Sequence, residues 1–155
     1  MQQLSIAAIL LSVSLRSLAG DPTDKLSHFK GAENFKSTFP KAEVIDCKNT
    51  GEFTEVNFIW NGLHIQAYYD RAGNAVGASR EIGIEHLPVT VQVNLGREYP
   101  DFIVKEAIEY TDMDNSLSYY VTVTDTKTAR VLHISPDGYI SVFKRLHGDK
   151  RGTGN

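Results

Sequence analysis

The chain has 155 residues, 41% apolar and 23% charged, with a formal net charge of −3. That composition suits one well-cored globular domain and is too short for two large ones. The acidic balance gives no sign of the basic face a nucleic-acid binder needs, and no apolar run reaches the roughly 18 residues of a membrane-spanning helix.

The N-terminus reads as an export signal. LSIAAILLSVSL, residues 4–15, has the length of a signal-peptide apolar core, and Ser17 and Ala19 are small residues at the positions a signal peptidase reads. Residues 1–19 are therefore expected to be a signal peptide, with a periplasmic or secreted destination. A buried N-terminal helix is the alternative. Cys47 is the single cysteine, so the chain has no internal disulfide and cannot build a Cys-rich zinc site. It reads as a half-buried strand residue.

After a polar leader, LSHFKGAENFKSTF (26–39) spaces Leu26, Phe29, Ala32, Phe35 and Phe39 by threes and fours, one face of a helix. Pro40 ends it, because the residue before proline is pushed out of the α region. Strand-like runs follow at KAEVIDC (41–47), EFTEVNFIW (52–60), LHIQAYYD (63–70) and AVGASREIGI (75–84). Asn61-Gly62 is a strong hairpin signal between the second and third. LPVTVQVNLGREYP (87–100) fits a strand by alternation and a helix by its Leu87, Val91, Leu95, Tyr99 spacing. Pro88 suits the start of a helix, and helix is expected. DFIVKEAIEY (101–110), SLSYYVTVTD (116–125), ARVLHIS (129–135) and YISVFKRL (139–146) then alternate as strands. HGDKRGTGN reads as a polar tail, disordered from residue 148.

The plan therefore occurs twice. Asn34–Pro40 aligns with Asn94–Pro100, and the turn glycines Gly73 and Gly138 align. The expected fold is α+β: two tandem helix-plus-antiparallel-sheet half-repeats, 26–86 and 87–147, in two layers with the helices on one sheet face. Residues 20–147 form one domain. The helix, "FP", strand order, YDRAGN (69–74), EHLPVTV (85–91), REYPDFIVKEA (97–107) and ISPDGYI (134–140) resemble the PepSY-like, beta-lactamase-inhibitor-like exported proteins of Bacteroidetes. The resemblance implies export, tandem helix-plus-sheet units and no catalysis. It implies inhibitor-like binding only by fold analogy, so no binding residue is carried over from it.

No chemical motif competes with that reading. The five histidines (His28, His64, His86, His133, His147) form no helical metal pair and no HExxH. Asp112, Asp114 and Ser116 have the first spacings of a calcium loop, but Leu117 and Val123 stand where its Gly and Glu belong. A turn is expected there instead. Glu81, Glu85, Asp70 and Asp101 could supply carboxylates only if a cleft gathered them. No phosphate loop, nucleophile elbow or dinucleotide fingerprint occurs, and no cofactor, metal or catalytic residue is expected.

Surface is what remains. Alternation turns His64, Gln66 and Tyr68 away from Leu63, Ile65 and Tyr69, and Tyr120 and Thr122 away from Tyr119, Val121 and Val123. Tyr139 and Phe143 face away from Ile140 and Val142 by the same count. These seven residues are the expected binding face, for a protein or peptide partner in the cell envelope. The alternative is a small-ligand or metal-binding protein with a pocket between the half-repeats.

Overall fold

A computed structural model describes residues 25–146. The expected signal peptide, His147 and the expected tail lie outside the described residues. Helix α1 (Ala32–Thr38) is followed by β1 (Glu43–Asn49), β2 (Phe53–Trp60), β3 (Leu63–Asp70) and β4 (Ala75–Ile82). A 3₁₀ turn (Ile84–His86) leads to α2 (Val89–Glu98), then β5 (Ile103–Asp112), β6 (Leu117–Thr124), β7 (Ala129–Ile134) and β8 (Ile140–Leu146). The strands form an eight-stranded sheet in sequence order, with antiparallel ladders. The fold is α+β. All eight expected strands are present.

The residues divide into two compact units. One holds 25–81 with 108–117; the other holds 82–107 with 118–146. In the first, α1 lies on the sheet face of Val44, Val56, Phe58, Ala67 and Tyr69. Aromatic rings fill the layer: Phe35 and Phe39 meet Phe58 at 4.9 and 4.6 Å, and Phe29 meets Tyr69 at 4.8 Å. Such edge-on and tilted pairs add to the apolar area they bury. Cys47 shares this face, opposite Val56. Burial, then neighbouring Asp46, push its thiol up to about 11, so it is a packed residue rather than a reactive one.

Each helix leaves by the same corner. Phe39 N–H donates to Phe35 O and Ala42 N–H to Phe39 O; Tyr99 N–H donates to Leu95 O and Phe102 N–H to Tyr99 O. The Trp60 indole N–H closes the first corner on Pro40 O at 3.1 Å.

The first helix is shorter than its apolar spacing predicts. Residues 25–31 form turns, with Phe29 N–H bonded to Leu26 O and Ala32 N–H to Phe29 O. Leu26 and Phe29 still reach the core. Gly31 explains the break. Its backbone lies against the β3–β4 turn so closely that a Cβ on Gly73 would meet Gly31 N at 2.7 Å. In α2 the helical reading wins over the strand: Leu87, Val91 and Leu95 are buried, while Val89 and Val93 are exposed. A strand would have buried all five together.

The Asp112 turn is a turn. Its Oδ1 accepts the Asp114 and Ser116 N–H groups, both at 2.9 Å. Among the described residues, no group of three or more His, Cys, Asp or Glu side chains could hold a metal ion, and no helix is long and apolar enough to cross a membrane.

Candidate functional site

Ladder register assigns faces, because directly paired residues point the same way. In the first unit Glu55 pairs with Tyr68, Asn57 with Gln66, and Ile59 with His64, on the face opposite α1. Gln66 also pairs with Ser79, and Tyr68 with Gly77. The Tyr68 hydroxyl donates to Gln66 Oε1 at 3.1 Å and lies 2.8 Å from Ser79 Oγ. With its one hydrogen directed at Gln66, it accepts from the Ser79 hydroxyl. Tyr110 lies beside it, ring to ring at 6.2 Å. Gly77 makes the room: a Cβ there would stand 2.5 Å from the Tyr110 hydroxyl.

This patch is polar, aromatic and closed to solvent at its centre. Tyr68 is 0% exposed, Glu55 1% and Ser79 3%. Burial holds the Tyr68 phenol above its usual range against the lowering effect of the Ser79 hydrogen bond, and the Glu55 and Tyr110 charges add smaller upward pushes. Alternation gave Tyr68 its face correctly but gave the wrong exposure. A tyrosine between a carboxylate, a serine and a second tyrosine packs against its own sheet. Gln66 is half-buried and His64 exposed.

The second unit repeats the chemistry with other residues. Tyr120 pairs with His133 and Thr122 with Val131. The Tyr120 ring contacts His133 at 5.1 Å and Phe143 at 5.0 Å. Tyr120 is 5% exposed, again not open as alternation predicts. Burial raises its phenol, with Ser118 opposing, and burial lowers His133. Thr122 Oγ1 donates to Glu106 Oε2 at 3.4 Å. Thr122, His133 and Phe143 are half-buried and reach solvent. Tyr139 belongs to no strand. It is exposed in the β7–β8 turn, where its carbonyl accepts the Ser135 N–H.

The structure thus joins Gln66 with Tyr68, and Tyr120 with Phe143. It leaves His64 and Tyr139 apart. Sequence reasoning missed Glu55, Ser79, Tyr110 and Glu106, and noted His133 as a strand histidine without placing it in the binding face. Glu55 was legible: Val56, Phe58 and Trp60 on one face put it on the other, and an acid between apolar strand residues is a signal. Tyr110 beside Tyr68 depends on which strands meet, which no single strand reveals.

No protein-family model matches the sequence, and no curated protein matches it. Solved structures do. A DUF2874 family protein from Bacteroides uniformis is 16% identical, with a TM-score of 0.69 over 80% of this chain and 94% of that one. A BLIP-like protein from Bacteroides fragilis is 18% identical, with a TM-score of 0.67 over 81% of this chain and 90% of that one. A Bacteroides eggerthii protein named as a candidate periplasmic protein is 13% identical, with a TM-score of 0.66 over 80% and 94%. At these identities the likeness is one of fold, and the chain has the fold shared by these DUF2874 and BLIP-like Bacteroides proteins.

Proposed function

We propose that the chain is a non-catalytic, inhibitor-like exported protein that covers a protein or peptide partner with its sheet. The carrying observation is the chemistry, in each unit, of the sheet face opposite the hydrophobic core. It offers half-buried Gln66 and exposed His64 in one unit, and half-buried Thr122, His133 and Phe143 in the other. Partly exposed aromatics set among hydrogen-bonding groups are the composition enriched at protein interfaces. Tyr68 and Tyr120 act beneath that surface, positioning it. The fold shared with a BLIP-like protein supports the inhibitor-like reading. The periplasmic name of another neighbour supports export. Recurrence of helix and four strands, with matching corners at Pro40 and Pro100, supports two half-repeats, 26–86 and 87–147. A PepSY relationship rests on the sequence resemblance alone.

The experiment is capture from a cell-envelope fraction by wild type, His64→Ala/Gln66→Ala and Thr122→Ala/Phe143→Ala. Each variant is first checked for an unchanged urea midpoint. A partner held by wild type and lost tenfold or more by either pair supports the reading. Equal retention by all three, or none by wild type, overturns it.

One observation favours a small ligand. A cleft of about 310 Å³ in the first unit is lined by His28, Lys30, Asn49, Glu52, Asp70 and Arg71 among others. A specific ligand would raise Tm in a thermal-shift panel.

A further inference from the structure

The ladder between β7 and β8 places Arg130 directly opposite Arg145. Directly paired side chains stand about 5 Å apart at Cβ, and like charges so placed repel. The pairing follows from a bulge. Leu132 pairs with Val142, but Val131 pairs with Lys144, so Phe143 is the extra residue. Without it, Arg145 would fall on the Tyr120 side. With it, Arg145 joins Arg130 on the side of buried Val123.

Arg130 is held in place. Its guanidinium carbon lies 5.1 Å from the centre of the Phe102 ring, a cation–π contact that fixes direction without neutralising charge. Phe102 follows the Tyr99-Pro100 corner at the end of α2. The ion pairs Lys36–Glu33, Arg80–Glu109, His86–Glu85 and Arg97–Glu98 involve neither arginine. Asp125 is the acid near Arg130, and Arg130 contributes to lowering its carboxyl. Its oxygens are already bound: Oδ1 accepts the Lys127 and Thr128 N–H groups, and Oδ2 accepts the Thr128 hydroxyl.

We propose that Arg130 and Arg145 form a two-guanidinium clamp for an oxyanion, a carboxylate or phosphate group of a ligand or partner. Two planar forks one ladder spacing apart can each present paired N–H donors to one such group. An oxyanion between them replaces repulsion with attraction. The clamp lies on the opposite sheet face from Thr122 and Tyr120, so its failure leaves the partner-binding reading untouched. The competing account is that both arginines merely guard a sheet edge, since β8 is the last strand of the order.

The test titrates the full chain at low ionic strength with inorganic phosphate and, separately, acetate, reading the arginine Nε–H resonances and Tm. The clamp requires both arginine resonances to shift along one saturation curve and Tm to rise. Arg145→Gln weakens binding at least tenfold. Arg145→Lys keeps the charge, loses the fork, and also weakens it. Arg145→Glu abolishes binding and raises the anion-free Tm, because an ion pair replaces the repulsion. Tighter acetate binding marks a carboxylate as the occupant, tighter phosphate binding a phosphoryl group. If neither anion moves the two resonances, or the shifts survive Arg145→Gln unchanged, the pair is an edge charge only and the proposal falls.

Discussion

Gly73 and Gly51 form a matched pair for measuring how firmly the β3–β4 turn docks on the start of α1. Both have positive φ, 91° at Gly73 and 92° at Gly51. Their surroundings are opposite. A Cβ on Gly51 meets nothing within 4 Å, whereas one on Gly73 meets Gly31 N at 2.7 Å and Lys30 C at 2.8 Å. Both substitutions to alanine force an L-residue into left-handed backbone, which costs about 1–2 kcal/mol. Both recover about 0.4–1 kcal/mol from a stiffer unfolded chain. Gly51→Ala should therefore cost about 1 kcal/mol net. Gly73→Ala carries that and an overlap that only backbone movement relieves, a further 1–3 kcal/mol or so by analogy with overpacked cores. Urea denaturation followed by circular dichroism measures both, read as a shift in midpoint at constant slope. The two variants should differ by at least about 1 kcal/mol, the lower end of that overpacking range. Equal midpoints would refute the claim that the Gly31–Gly73 approach shortens the helix.

Two further outcomes follow from the buried tyrosine and from the turns. Tyr68→Phe removes the hydroxyl that meets Ser79 and Gln66 and should cost about 1–3 kcal/mol by stranding buried Ser79; the double variant with Ser79→Ala should recover part of it, and additive losses in a double-mutant cycle would contradict the shared hydrogen bond. Asp70 is held below the usual carboxylate range by the Asn74 side chain first, then by backbone N–H groups of Asn74 and Ala72. A depressed folded value means its stabilisation is complete above the unfolded carboxyl range and is lost as pH falls through the folded value. Asp70→Asn should therefore flatten the acid limb of a stability–pH curve and leave its slope above pH ~6 unchanged; an unaltered acid limb would count against the turn carboxylate.

Hydrophobic period and turn chemistry alone determined the order of elements. Asn61-Gly62 closes the β2–β3 hairpin with both residues at positive φ, as that dipeptide favours. Phe39-Pro40 and Tyr99-Pro100 end both helices, because proline denies the preceding residue helical backbone. Those signals act over a few residues, so a single sequence carries them. What tertiary structure alone decided acts across the sheet. Gly31 yields its helical turn to Gly73, more than forty residues away. Alternation gave Tyr68 its face, but its exposure depends on Glu55, Ser79 and Tyr110 arriving from three other strands. One extra residue, Phe143, moves Arg145 to the opposite face and sets it against Arg130. A period of two predicts which side a residue faces until a bulge breaks it, and the ladder register across strands, rather than any local signal, fixes where the break falls.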